Sequence, residues 1–304
     1  MKIVFFGTGE FSVDILKSLI DNNQNVVAVV SQPDKVNGRN NKVEFSPIKQ
    51  FCLKNGLKLF QFAKLNLEGE QPLKDLDADV FITASYGQII RQNILNLPRF
   101  GIFNVHASLL PKYRGSSPIQ WAIMNGETET GVTIMKTELG LDCGDMYLQK
   151  KIDILETDTS SSVFKKLATL GGECLNEFLN NFDYYLKHAE KQDETKMSYY
   201  PMIKKEDYLL NFNSATKSIV NKIRALGNCY FIYKGMRFKV IEAKLACGKG
   251  EPGTILSCNA KSGLIIATND GAVEIVTIQP EGKAKMPAKA YMNANKFVLA
   301  DVIK

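Results

Sequence analysis

The sequence predicts an α/β protein of two domains, a first built on a mainly parallel, twisted sheet and a smaller second one made of short strands. Three observations carry this expectation. Strand-like and helix-like segments alternate over residues 2–181, as in folds with a parallel sheet covered by helices. The run Val26-Val27-Ala28-Val29-Val30 contains no polar residue, as in a parallel strand buried on both faces. Past residue 228, four short β-like runs follow one another with turn residues between them, the pattern of a small barrel or sandwich. A length of 304 residues agrees with about two domains.

Each element has a local reason. Residues 2–6 read as a buried strand entering a glycine turn. Phe11, Ile15, Leu16 and Leu19 share one face of a helix over 11–20, since positions three and four apart are stacked on a 3.6-residue period. A polar loop over 31–46 holds Pro33, Gly38 and Arg39, with Pro47 just beyond. Next come a helix at 48–54, a short strand at 57–60, the strands Val80–Ala84 and Ile102–His106, and a short helix at 121–125. Strands at 132–137 and 146–152 precede a long helix at 159–181. Residues 189–205 are polar and charged and include Pro201, which predicts a linker crossing the surface. A helix at 214–225 then leads into strands at Cys229–Tyr233, 238–243, Gly263–Ala267 and 272–279. The expected boundaries are 1–188 for the first domain, 189–205 for the linker and 206–304 for the second domain.

Composition excludes several classes. The six cysteines are scattered without a C-x-x-C pair, so they are expected as free thiols of a reducing cytoplasm. With two histidines and scattered cysteines in the chain, a zinc site would need unusually dispersed ligands, and no metal is expected. No apolar run approaches the ~18 residues of a membrane span. The opening Met1-Lys2-Ile3-Val4-Phe5-Phe6-Gly7 is too short an apolar run to be a signal peptide. No long amphipathic seam suggests a dimer, and a monomer is expected. Charge is unevenly spread. From residue 204 onward there are 16 Lys+Arg against 8 Asp+Glu, a net of +8, whereas residues 1–203 hold 22 against 24, a net of −2. A basic lobe on a near-neutral body points to a polyanion such as a nucleic acid, although a solvated lysine surface has the same composition.

Two motifs bear on chemistry. Gly7-Thr8-Gly9-Glu10-Phe11-Ser12 resembles a dinucleotide fingerprint whose third glycine is replaced by Ser12. That glycine serves close helix packing, so the motif reads as an ordinary strand-to-helix turn. Phe103-Asn104-Val105-His106-Ala107-Ser108-Leu109-Leu110-Pro111 lies at the carboxyl end of a strand, where open α/β sheets bind ligands. Asn104 and His106 are two apart and leave one face of an extended chain together. An amide donor beside an imidazole donor can stabilise an oxyanion. Downstream, Leu139-Gly140-Leu141-Asp142-Cys143-Gly144-Asp145 is a turn carrying carboxylates, and a carboxylate near an imidazole favours its charged form and holds its orientation. Taken singly, each residue is more often structural, and spacing alone leaves the question open.

The stretch Asn104-Val105-His106-Ala107-Ser108-Leu109-Leu110-Pro111-Lys112-Tyr113-Arg114-Gly115, with Pro118-Ile119-Gln120 and Gly140-Leu141-Asp142-Cys143-Gly144-Asp145, resembles the signature of the 10-formyltetrahydrofolate-dependent formyltransferase family. Resemblance runs from the first strand to Ile278-Gln279-Pro280-Glu281-Gly282-Lys283, and within the family it is to the members that act on methionyl-initiator tRNA. It implies a Rossmann-like N-terminal domain and an OB-like C-terminal barrel. It also implies Asn104, His106 and Asp142 as the catalytic set, with 10-formyltetrahydrofolate as co-substrate and no metal. The folate is expected against Ser108, Leu109, Leu110 and Pro111 and near Tyr86, Gly87 and Gln88. The loop from Gln32 to Lys42 matches a basic loop that enters the tRNA acceptor end, with Arg39 on its important arginine and Lys42 beside it. In this chain Asn40-Asn41-Lys42 replaces a more basic run. Lys204, Lys205, Lys283 and Lys285 are candidate phosphate contacts of the second domain. Rival readings are a sugar-nucleotide N-formyltransferase, a formyl-folate hydrolase, a non-catalytic RNA-binding protein and a dehydrogenase built on the Gly7 turn.

Overall fold

The computed structural model describes residues 1–37, 42–292 and 297–303. Its contacts divide into two units. The first comprises residues 1–115, 129–153 and 164–199, and the second comprises 116–128, 154–163 and 200–304.

The first unit is built on seven strands: β1 (Ile3–Gly7), β2 (Val26–Ser31), β5 (Leu59–Gln61), β6 (Val80–Ala84), β7 (Ile102–His106), β9 (Glu129–Lys136) and β10 (Met146–Asp153). Their order is β10-β9-β7-β6-β1-β2-β5. The strands from β5 to β7 run parallel, whereas β9 is antiparallel to β7 and β10 antiparallel to β9. This is a Rossmann-like sheet with an antiparallel edge. In β1, Ile3, Val4, Phe5 and Phe6 are all fully buried, as in a parallel strand covered on both faces. Helices α1 (Glu10–Asp21) and α7 (Ser160–Asn180) pack against each other through Phe11 and Phe164. Asn176 ties α7 to α1 by donating to the Ser18 carbonyl and hydroxyl. The helix expected at 48–54 is α2 (Pro47–Asn55), capped by the Ser46 hydroxyl and ended by Gly56 at φ +65.

Two segments read as irregular carry more structure than composition suggested. The loop at 31–46 contains a small antiparallel ladder, β3 (Lys35–Asn37) with β4 (Lys42–Glu44). The segment at 189–205 includes a 3₁₀ turn at Glu194–Lys196 and β11 (Tyr199–Tyr200), which pairs with β8 (Arg114–Gly115). Its polar side chains find partners in distant parts of the chain, which composition does not reveal.

The second unit has an antiparallel sheet of β12 (Cys229–Tyr233), β13 (Met236–Ala246), β14 (Ile255–Asn259), β15 (Gly263–Ala267), β16 (Ala272–Pro280) and β17 (Met286–Pro287), ordered β12-β13-β16-β15-β14 with β17 on β16. Bulges after Val240 and Glu242 interrupt the β13–β16 ladder, and bulges bend strands. Phe231 and Phe238 stack at 5.4 Å in its core, with Phe297 beside them. Helix α9 (Thr216–Leu226) is fixed at its start by Thr216, whose amide and hydroxyl both donate to Asp270. Lys204, Lys205, Lys283 and Lys285 are exposed in this unit.

Candidate active site

The glycine turn after β1 is closed from within. The Ser12 hydroxyl accepts from the Thr8 amide at 3.0 Å and donates to the Ala84 carbonyl at 2.6 Å. A Cβ on Gly7 would lie 2.4 Å from the Ser12 Cβ, so this approach requires glycine. Ser12 thus stands where a dinucleotide motif has glycine, and it occupies a turn amide that an anion would need.

Two strands away, the end of β7 collects the predicted residues. Thr83 on β6 is the ladder neighbour of Asn104, and its hydroxyl donates to Asn104 Oδ1 at 2.9 Å. With its oxygen engaged, its Nδ2 hydrogens meet no acceptor among the described residues. His106 is 6% exposed. Its Nε2 lies 3.0 Å from the Tyr113 carbonyl. A carbonyl only accepts, so this nitrogen carries a hydrogen and Nδ1 is the one left for chemistry. Nδ1 lies 3.9 Å from Asp142 Oδ2, beyond direct hydrogen-bond length but close enough for the carboxylate to act as a counter-charge. The same Oδ2 accepts from the Gly115 amide at 2.8 Å. Asp142 itself has φ +48, a left-handed conformation that non-glycine residues adopt when their surroundings hold them there. The imidazole and the carboxylate therefore face one another, with Asn104 two residues before His106 on β7, all within the first unit.

The loop following His106 is stapled to the antiparallel edge. Thr133 donates to the Ser108 carbonyl at 2.7 Å and accepts from the Leu110 amide at 3.2 Å, while Gln149 donates to the Leu110 carbonyl at 3.0 Å. Ser108 is buried with its hydroxyl on the Lys112 carbonyl, and Leu110 is buried as well. Leu109 and Pro111 keep partial exposure. Tyr86 is buried against Phe6, and burial pushes its phenol well above the ordinary tyrosine range. It therefore presents only backbone to a ligand, and its carbonyl accepts from the Thr8 hydroxyl and from Gln32. Gly87 is exposed. Gln88 spans the Phe62 carbonyl and the Leu65 amide. Arg39 lies outside the described residues, and Lys42 is described only as part of β4.

Several groups that build the site gave no sign in the sequence: the Thr83 hydroxyl, the Tyr113 carbonyl, the Gly115 amide and the side chains of Gln192 and Arg114. Their roles depend on β6 lying beside β7 and on two loops meeting, neither of which is encoded in local spacing. A cavity of about 730 Å³ lined by Gln92, Arg99, Lys136, Thr137 and Glu138 among others includes none of the catalytic candidates. Asn104 and His106 lie at the end of β7 instead.

The formyl transferase family profile matches residues 1–179, and the profile for the formyl transferase C-terminal domain matches residues 202–296. The chain is 42% identical over 311 residues to the methionyl-tRNA formyltransferase of Caldanaerobacter subterraneus subsp. tengcongensis, covering 100% of both chains. It is 40% identical over 310 residues to that of Dictyoglomus thermophilum, covering 99% of each. Among solved structures, the sugar 3N-formyl transferase WlaRD superposes with a TM-score of 0.62 at 23% identity, over 93% of this chain and 99% of that one, a likeness of fold.

Proposed function

We infer the reaction from one premise: the chain belongs to the formyl transferase family. It is an enzyme that transfers the formyl group of 10-formyltetrahydrofolate to the α-amine of methionyl-initiator tRNA. The observation that carries the site assignment is the committed geometry of His106. Its Nε2 is held on the Tyr113 carbonyl while Nδ1 faces Asp142, on the same strand end as Asn104.

The chemistry follows from hydrogen counting. The amine lone pair attacks the formyl carbon, and charge develops on the formyl oxygen. Asn104 donates one hydrogen bond there. His106 can add a second only from Nδ1, and with Nε2 already donating to Tyr113 the ring is then an imidazolium. The Asp142 carboxylate, 3.9 Å from Nδ1, supplies its counter-charge. Asp142 would also relay the proton, through a water, from the attacking amine to the departing N10. Bond making and breaking need no covalent enzyme intermediate. Holding two large substrates together contributes as much as any donor.

The partly exposed Leu109–Pro111 shelf and the Gly87 edge support a folate bound across the strand ends. The exposed lysines of the second unit, with Arg39 and Lys42 of the loop after β2, are the proposed tRNA contacts, and residues 206–304 are the proposed tRNA-binding domain following a catalytic domain at 1–188. The buried thiols Cys52, Cys174 and Cys229 fit a reducing cytoplasm, where we expect a monomer. Among the described residues no helix is long and apolar enough to cross a membrane.

The deciding experiment follows formyl-folate consumption with methionyl-initiator tRNA, with elongator methionyl-tRNA and with a sugar-nucleotide amine. Consumption confined to the initiator tRNA is the expected result. Turnover of the sugar alone would give the site to the rival acceptor, and loss of formate without acceptor would make it a hydrolase. His106→Ala is expected to lower kcat about 10²–10³-fold, the usual worth of one preorganised donor, with an unchanged far-ultraviolet dichroism spectrum. Near-normal turnover would end the oxyanion assignment.

A further inference from the structure

We propose that Gln192 is a positioning residue for formyl transfer, acting on Asp142 from behind its turn; the proposal rests on the reading of Asn104, His106 and Asp142 as the reacting set. Gln192 is 9% exposed and lies in a segment whose composition reads as a linker. Its Nε2 donates to the Asp142 carbonyl at 2.9 Å and to the Gly144 carbonyl at 2.8 Å. Both hydrogens of that amide are thereby spent on one turn. Its Oε1 accepts from Arg114 Nε at 2.9 Å, so the amide cannot flip without losing all three bonds.

Arg114 is 7% exposed. Beyond Gln192, its guanidinium grips Glu194 with two bonds, Nη1 to Oε2 at 3.1 Å and Nη2 to Oε1 at 2.6 Å. The fork holds the acceptor end of Gln192 in a fixed plane, as paired guanidinium–carboxylate contacts do.

The chain around Arg114 makes this clamp specific to the chemistry. The Tyr113 carbonyl meets His106 Nε2, the Arg114 side chain meets Gln192, and the Gly115 amide meets Asp142 Oδ2. Three consecutive residues thus address the imidazole, the clamp and the carboxylate. The turn has little freedom on its other side: a Cβ on Gly144 would lie 2.0 Å from the Lys136 carbonyl. Held between Lys136 and Gln192, the left-handed Asp142 presents its carboxylate at one distance from Nδ1. Without Gln192 the two carbonyls lose their donor and the turn is free to relax, carrying the carboxylate with it. A displacement of about 1 Å at such a site is able to cost ~10²-fold in rate.

The test uses the full chain with methionyl-initiator tRNA and 10-formyltetrahydrofolate, in single-turnover and steady-state assays. Gln192→Met keeps the volume and removes the donors. Its kcat is expected to fall about 10–100-fold, with KM for both substrates within about twofold and an unchanged dichroism spectrum. On an Asp142→Asn background the same substitution is expected to cost less than about twofold further, because the group it positions is already disabled. If Gln192→Met fails to fold, Gln192→Glu, which keeps an acceptor for Arg114, carries both comparisons. Wild-type kcat in the Gln192 variants, an effect on KM alone, or equal losses on both backgrounds would overturn the proposal while leaving the reacting set intact. An Asp142→Asn enzyme with wild-type kcat would overturn the reacting set itself, and this inference with it.

Discussion

Replacing Thr83 by valine isolates one hydrogen bond that decides how Asn104 works. The Thr83 hydroxyl donates to Asn104 Oδ1 at 2.9 Å, with the Phe103 carbonyl a poorer acceptor at 3.5 Å. Valine is nearly the same shape, suits a strand and removes the donor. The Asn104 amide then has two orientations, and the reversed one points an oxygen at the developing oxyanion. A net hydrogen bond is worth ~0.5–1.5 kcal/mol, and each 1.36 kcal/mol is a factor of ten in rate. Thr83→Val is therefore expected to lower kcat by about two- to thirteen-fold. Asn104→Ala is expected to lose ~10²–10³-fold, because it removes the donor outright. Stability is expected to change little, since Asn104 is only half-buried and its freed oxygen reaches water. Steady-state formylation with both substrates varied, together with a thermal melt, checks all three quantities. Unchanged kcat in Thr83→Val beside an inactive Asn104→Ala would refute the orienting role. A loss in Thr83→Val as large as in Asn104→Ala, or an added loss on the Asn104→Ala background, would show that Thr83 acts by another route.

Other expectations follow from charge and burial. Asp34 is held below the usual carboxylate range, first by its hydrogen bond from Gln61 and then by Lys49. Its folded value lies under the unfolded one, so its stabilisation is present at neutral pH and disappears as pH falls through that depressed value. Asp34→Asn is expected to lower Tm slightly at pH ~7, by about 1 kcal/mol, the net worth of one hydrogen bond in this mostly buried pair. The difference should vanish once the pH falls below that depressed value, and a gap that widened in acid would contradict the sign. Among the thiols, burial pushes Cys52 and Cys174 up to about 11 and Cys229 to about 12. These three should resist a thiol reagent at neutral pH until the chain unfolds, while the exposed Cys247 reacts at once. KM for tRNA is expected to rise steeply with salt, by ~0.7–0.9 in log–log slope for each neutralised phosphate. Lys283→Ala or Lys204→Ala should reduce that slope by about one if either contacts a phosphate, whereas a flat salt response would remove the basic lobe from the docking surface.

The parts of this arrangement that the sequence disclosed are those written in local periodicity. The strands Val80–Ala84, Ile102–His106, Cys229–Tyr233 and Gly263–Ala267 stand where the apolar runs placed them. The two-residue spacing of Asn104 and His106 put both on one strand end because strand side chains alternate. The helix expected at 48–54 is α2, to which Ser46, Pro47 and Gly56 give a cap, a first-turn proline and a left-handed stop. What escaped depends on non-local pairing. Residues 35–37 and 42–44 read as loop, since three-residue strands contain too little alternation to register. Gln192 and Glu194 sit in a stretch as polar as any linker, and only their partners, 50 and 80 positions away in the chain, distinguish a clamp from a solvated tail. Thr83 was unreadable for the same reason: its role exists only once β6 lies beside β7.

The position of the chemistry within the sheet has a physical cause in the first turn. Across the sheet the parallel strands lie in the order β5-β2-β1-β6-β7, so the direction of winding reverses between β1 and β6, where open sheets of this kind form a ligand crevice. A dinucleotide enzyme uses the β1 turn there, with bare amides for a pyrophosphate. Here the Thr8 amide is taken by Ser12, whose hydroxyl also binds the end of β6, and the Thr8 hydroxyl is taken by the Tyr86 carbonyl. The crevice is thus sewn shut at its base while its rim stays open at Gly87. A formyl donor needs no pyrophosphate cradle; it needs donors for one carbonyl oxygen. The donors proposed for it, Asn104 and His106, stand one strand further along, on β7, where the antiparallel neighbour β9 supplies Thr133 to fasten the following loop and the turn after β9 supplies Asp142. Opening the first turn by Ser12→Gly would therefore free an amide without creating a nucleotide site, and the substitution is expected to act through the loosened end of β6, hence through Thr83, as a loss of kcat. Retained kcat with a new affinity for dinucleotide would refute this account of why the fold places its chemistry on β7.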